Sequence, residues 1–180
     1  MRSEFDRDLH TMHKELMGMG TSCERAIALA VSSITDSKPE LKEEVQAAEE
    51  DIDRAERNIE ALCMRLLLRQ QPVATDLRNI SAALKMISDL ERVGDYAVDI
   101  AELSPYLAKA QLSGKVHLSE MALAAVDMVK QSVQAFVDGD IRLAARVKEN
   151  DDRVDELFDR VKTEAVALIR DGALDAHAAL

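Results

Sequence analysis

Apolar residues in this chain recur at alternating steps of three and four, a spacing that places them on one stripe of an α-helix. The first run is Phe5, Leu9, Met12, Leu16, Met19, Cys23, Ala26, Ala30 and Ile34. The second is Leu41, Val45, Ala48, Ile52, Ala55, Ile59, Leu62 and Leu66. The third is Leu77, Ile80, Leu84 and Ile87, then a break at Glu91, then Gly94, Val98 and Ala101. Only 6 glycines and 3 prolines punctuate the 180 residues, too few for the frequent turns of an all-β chain. Aromatic residues make up 3% and there is no tryptophan, so Ala, Leu, Ile, Val and Met must fill the core of an all-α protein.

The helix boundaries are legible. Thr35-Asp36-Ser37-Lys38-Pro39 ends the first helix, and Pro39 suits the first turn of the second. Gln70-Gln71-Pro72 ends the second, because the residue before a proline disfavours the helical region. Thr75 or Asp76 is placed to cap the third, and Ser104-Pro105 to stop or kink it. Gly114 marks a loop, Ser119 opens a fourth helix, and Asp138-Gly139-Asp140 is a tight turn into a fifth that runs to about Asp171-Gly172. Short connections force antiparallel neighbours, so residues 1–110 are predicted to form an up-down-up three-helix bundle.

The fourth and fifth helices repeat the first and second. An offset of 102 pairs Met19 with Met121, Val31 with Val133, Asp36 with Asp138, Leu41 with Leu143, Val45 with Val147 and Asp53 with Asp155. A shared heptad accounts for apolar matches but not for matched turns and acids, which points to internal duplication. Residues 111–180 are thus expected to form a second bundle of which only two helices are present. Asp175-Ala176-His177 aligns with the start of the third helix, and the counterpart of Glu91 would lie beyond Leu180. The seam this leaves open favours a homodimer.

A net charge of -11 and the lack of any Lys/Arg-rich run exclude binding to nucleic acid through its phosphates. The longest uncharged stretch, Ala26 to Thr35, is half of what a membrane span needs, roughly 20 residues. MRSEFDRDLH has no apolar signal core, so the cytosol is expected. Cys23 and Cys63 lie on apolar seams and are read as buried free thiols, with no CxxC spacing for metal. His10 and His13, three apart, are read as ordinary surface or seam residues, and Arg78 and Arg92 as partners for Asp76, Asp89 or Glu91.

The acids carry the chemistry. Glu91 sits where the apolar register expects a core residue, with Asp95 and Asp99 each one turn further along the same side. Glu49 and Asp53, also four apart, flank the Ala48/Ile52 seam, and their counterparts Asp151 and Asp155 keep the acidic identity. Stacked carboxylates repel unless a cation neutralises them, and an all-oxygen donor set suits hard or intermediate ions. Acids four apart are also common on solvated helix faces, so spacing alone leaves both readings open.

The segment Leu90-Glu91-Arg92-Val93-Gly94-Asp95-Tyr96-Ala97-Val98-Asp99-Ile100 closely resembles the LERIGDxAxxI signature of PhoU-type phosphate regulators, and Pro72-Val73-Ala74-Thr75-Asp76-Leu77-Arg78 resembles the family's PxAxDLR. Phe5-Asp6-Arg7-Asp8-Leu9, Met17-Gly18-Met19 and the Glu49/Ile52-Asp53 pattern fit as well. The resemblance implies two tandem, spectrin-like antiparallel three-helix bundles, the second incomplete here. It implies metal ligands at Glu91 and Asp95 with Glu49 and Asp53, then Asp99, and Asp151 and Asp155 in the second bundle. The ion would be Fe, Zn, Mg or Ca. It also implies a negative regulator of phosphate uptake and phosphate-starvation signalling. That regulator would join the ATPase subunit of a phosphate ABC transporter to a sensor histidine kinase, at the inner face of the membrane through those partners. A di-metal carboxylate enzyme is disfavoured because no Glu-x-x-His motif occurs. A purely structural bundle explains the heptads but not Glu91.

Overall fold

The computed structural model describes residues 2–69, 74–107 and 116–174. Five long helices account for nearly all of them: α1 (Arg2–Thr35), α2 (Lys42–Arg69), α3 (Ala74–Leu107), α4 (Leu118–Asp138) and α5 (Ile141–Arg170), with a 3-10 turn at Pro39–Leu41 before α2. The fold is all-α. Helices α1, α2 and α3 pack mutually as an up-down-up bundle, α4 runs antiparallel along α1, and α5 folds back on α4. The arrangement is that of tandem three-helix bundles, with two helices of the second among the described residues.

The heptad stripes become the core. Met12, Leu16, Met19, Cys23, Ala26 and Ala30 of α1 are fully buried, as are Val45, Ile52 and Ile59 of α2. Burial pushes the Cys23 thiol up to about 12 and the Cys63 thiol up to about 11, so both stay protonated inside the bundle. Small residues set the approach of the two halves. A Cβ on Gly20 would lie 3.1 Å from Val133 Cγ2, so α1 admits α4 closely only because position 20 carries no side chain.

The turn after α1 recurs after α4, bond for bond. Ser37 donates to Ile34 and Lys38 to Ser33; at positions 102 higher, Gly139 donates to Phe136 and Asp140 to Ala135. Ser37 (φ 55) and Gly139 (φ 65) both take the left-handed conformation that closes a helix this way. The two turns then diverge. Asp140 accepts from the amides of Arg142 and Leu143 and caps α5 directly, whereas Lys38 gives no side-chain cap and Pro39 opens a 3-10 turn.

Three sequence expectations change. α3 has begun by Ala74, so Thr75 and Asp76 lie in its first turn instead of before it. Ser104-Pro105 does not stop α3, which continues to Leu107 with Pro105 inside it. The buried seam of α3 is Ile80, Ala83, Ile87, Leu90, Gly94, Ala97, Ala101 and Ser104. Leu90 takes the core step, so Glu91 stands beside the seam, half-buried, and Leu77 is exposed. A run with leucines on two adjacent faces admits both registers, and the position of α2 selects one. Gln70-Gln71-Pro72, Gly114 and Asp175-Ala176-His177 lie outside the described residues.

Candidate functional site

Helix α2 packs closely on α3 at Gly94. A Cβ there would meet Ile52 Cδ1 at 3.1 Å and Glu49 Cγ at 3.6 Å. This close approach brings the acidic edges of the two antiparallel helices together. Glu49, Asp53 and Glu56 line the edge of α2, and Glu91 and Asp95 that of α3. Glu49, Asp53, Glu56 and Glu91 are half-buried, and Asp95 is exposed.

The electrostatics are those of half-buried, only partly compensated like charges. Burial and then the negative charges of Asp53, Asp95 and Glu50 push Glu49 above its ordinary value. Burial, Asp53 and Glu60 do the same for Glu56, against a lowering pull from Arg57. Burial, Asp95, Glu56 and Asp53 raise Glu91, against Arg92. The neighbouring arginines compensate the cluster only in part. Arg57 pairs with Asp53 at 3.1 Å, Arg54 with Asp51 at 3.2 Å, and Arg92 leans to Asp89 at 3.8 Å and Tyr96 Oη at 3.3 Å. Carboxylates whose folded-state values are raised cost stability when ionised. That cost is fully present at neutral pH and is relieved as pH falls toward the ordinary value of 4.5.

The structure therefore brings Glu49, Asp53, Glu91 and Asp95 together and adds Glu56, which the sequence reading missed. Its signal was available: Glu49, Asp53 and Glu56 step by four and three along one helix edge. Asp99 is exposed one turn beyond Asp95 and is not among the main charges acting on the cluster. Asp151 and Asp155 are exposed on α5, away from the cluster, and Asp155 lines a groove toward α3. Among the described residues, no group of three or more His, Cys, Asp or Glu side chains is gathered into a ready-made metal site. His13 packs edge-on against Phe136 with ring centroids 5.8 Å apart, and His10 is exposed.

A second polar contact joins α4 to α5. Glu164 accepts from the His117 amide at 2.8 Å, meets His117 Nδ1 at 2.5 Å and accepts from Arg160 Nε at 3.2 Å. Burial alone would raise this carboxyl, but the bonds from His117 and Arg160 outweigh it and hold Glu164 below its ordinary value. A lowered folded-state value gives stability that is present above about pH 4.5 and lost as pH falls through the folded value. Glu164→Gln is expected to cost roughly 1–3 kcal/mol at pH 7. The cost should shrink below pH 4.5 in urea melts taken across pH; a pH-independent cost would show that the charge contributes nothing.

The fold and the acidic seam define an all-helical, tandem-bundle protein with a carboxylate cluster between the second and third helices. The PhoU domain family matches residues 16–104 and 118–179. The phosphate-specific transport system accessory protein PhoU homolog of Deinococcus radiodurans is 34% identical over 167 residues, covering 92% of this chain and 78% of that protein. The Aquifex aeolicus homolog is 35% identical over 164 residues, covering 91% and 74%. The crystal structure of PhoU from Pseudomonas aeruginosa superposes with a TM-score of 0.84 at 30% identity, covering 97% of this chain and 83% of that one. The phosphate transport system regulatory protein PhoU from Streptococcus pneumoniae gives 0.81 at 26% identity, covering 93% and 79%. The chain belongs to the PhoU family. Its relatives carry the names of accessory and regulatory proteins, and the reading of the chain as not an enzyme stands with theirs. No helix among the described residues is long and apolar enough to cross a membrane.

Proposed function

We propose that this chain regulates phosphate uptake and phosphate-starvation signalling as a metal-responsive adaptor. Membership in a family whose relatives are phosphate transport accessory and regulatory proteins carries the regulatory part of this reading. The metal part is supported by the like-charged seam: burial and the charges of Asp53, Asp95 and their neighbours push Glu49, Glu56 and Glu91 up, and a bound cation relieves what the arginines do not.

The donor set is all oxygen, which suits Mg, Ca, Mn or Fe and also accepts Zn. The carboxylates of α2 and α3 would have to swing together, with Asp53 leaving Arg57 to do so. Once seated, the ion would tie α2 to α3 at Gly94 and change the charge of the surface offered to partners. Those partners are the ATPase subunit of a phosphate ABC transporter and a sensor histidine kinase, met by the acidic exterior through basic patches. Glu91 and Asp95 are the first ligands to test, then Glu49, Asp53 and Glu56; Asp99, Asp151 and Asp155 are outer candidates. A homodimer is the assembly to look for by sedimentation.

The test is elemental analysis of protein purified without added metal, beside a Glu91→Gln/Asp95→Asn variant, followed by pull-down with each partner. Metal in the parent and a loss of at least tenfold in the variant supports the site. No metal in either, with stability indifferent to chelator, reduces the chain to a structural bundle whose acids are solvated.

A further inference from the structure

The face of the molecule opposite α3 carries alternating stripes of charge. Cys23 of α1 donates to the Leu90 carbonyl of α3, and Met121 and Ala125 of α4 line the groove beside α3. At roughly 100° per residue, Lys14, Gly18, Arg25 and Ala28 of α1 then lie on the far side, as do Leu123, Asp127 and Asp138 of α4. All of them are exposed, Leu123 by 70%. The outer helices extend the pattern. Arg25 leans to Glu44 of α2 at 3.9 Å, and the offset of 102 carries that pair onto Asp127 and Arg146 of α5 with both signs reversed. Read across α2, α1, α4 and α5, the charges run negative, positive, negative, positive.

These charges are not consumed within the chain. Among the described residues Lys14, Asp127 and Asp138 form no ion pair, and the two aspartates instead accept from the side-chain amides of Gln131 and Gln134. Gly18 is a separate observation on the same face. A glycine inside a 34-residue helix costs stability against alanine, and a Cβ there would meet nothing within 4 Å. No neighbour in this chain requires the glycine, and the room above it admits a side chain from outside.

A second copy fits this face. Gly20 faces Val133 and His13 faces Phe136, which sets Lys14 about level with Asp138, Gly18 with Gln134, Arg25 with Asp127 and Ala28 with Leu123. A two-fold axis parallel to the helices lays α1 of each copy over α4 of the other, and α2 over α5, with these levels kept. Each stripe then meets its opposite twice, the self-complementarity that an isologous interface needs. From Lys14 to Ala28 and four helices wide, the face measures roughly 20 by 35 Å, close to the standard size of a specific interface. Exposed ion pairs add little affinity but select the register, while Leu123 on Ala28 and the gap at Gly18 give contact. The net charge of -11 on each copy is screened beyond about 8 Å at physiological salt.

We propose that this chain pairs with a second copy through the α1–α4 face, with Lys14 and Arg25 of each copy on Asp138 and Asp127 of the other. This deepens the homodimer named above, and rests on it, by assigning its surface; metal and the transport partners play no part.

The test is sedimentation velocity in EDTA over a concentration series, on the parent and three variants checked by circular dichroism for an intact fold. Lys14→Glu/Arg25→Glu makes both stripes acidic, and Asp127→Lys/Asp138→Lys makes both basic. Each alone is expected to dimerise at least tenfold more weakly than the parent. An equimolar mixture of the two is expected to associate as tightly as the parent, because both crossed contacts are then complementary. Net charge alone gives the opposite result for the lysine variant: two aspartates become lysines, so -11 becomes -7 and association tightens. A lysine variant that dimerises as well as the parent overturns the proposal, as does a mixture that stays monomeric. Gly18→Leu is expected to melt no lower than the parent yet to dimerise at least tenfold more weakly; undiminished dimerisation overturns the register. A dimer indifferent to all three variants overturns the face and leaves the homodimer standing, whereas a parent monomeric throughout overturns both. Metal binding is read separately by elemental analysis, and its loss leaves these sedimentation results unaffected.

Discussion

Gly94→Leu is expected to destabilise the protein by about 3 kcal/mol, at the upper end of the cost of overpacking. That is a fall of roughly 6–12 °C in melting temperature for a chain of this size. A Cβ alone would lie 3.1 Å from Ile52 Cδ1, and Ile52 is fully buried, so it can yield to a methyl far more readily than to a whole leucine. A leucine must push α2 away from α3 and part the acidic edges. Gly94→Ala is the control: its helix propensity gains up to about 1 kcal/mol, which offsets a few tenths of an ångström of movement by the Ile52 methyl. Thermal melts of the two variants check this. A leucine variant as stable as the parent would mean that α2 and α3 do not approach as described.

The second large effect concerns cations. With the seam only partly compensated, a divalent ion at a hundred times its dissociation constant should stabilise the fold by about 2.7 kcal/mol, through preferential binding to the native state. Mn, Mg, Ca and Zn chlorides scanned by differential calorimetry should each show a rise or none, ranking the ions. The Glu91→Gln/Asp95→Asn variant should melt higher than the metal-free parent and lose the response to cations. Lowering the pH of metal-free parent from 7 toward 5 should raise its stability as well, because Glu49, Glu56 and Glu91 all have raised folded values and protonation removes the repulsion. Glu164 loses its stabilising charge only at lower pH, so the two effects separate on the pH axis. A variant that melts lower than metal-free parent would show that Glu91 and Asp95 make favourable contacts as carboxylates.

The two effects report on one feature, the narrow packing of α2 on α3. Gly94 allows it, and the acids are held at its edge.

Helix number, direction and most of the core were legible in the chain because three-four spacing admits one structure. Met12, Leu16, Met19, Ile52 and Ile59 are buried where periodicity puts them. The Asp36 and Asp138 turns were legible as a repeat, and their hydrogen bonds match pair for pair. The acidic pairs were legible as pairs. Spacing along one helix carries no information on the neighbour's rotation, and it was the family resemblance that grouped Glu49 and Asp53 with Glu91 and Asp95. Only packing decided that Leu90, and not Glu91, enters the core, that Glu56 joins Glu49 and Asp53, and that Asp99 stays outside. The sequence by itself determined an acidic, duplicated, all-helical chain, because burial of apolar stripes dictates that much. The tertiary structure alone decided where α3 meets α2 and which acids share that edge, because those depend on contacts between residues far apart in the chain.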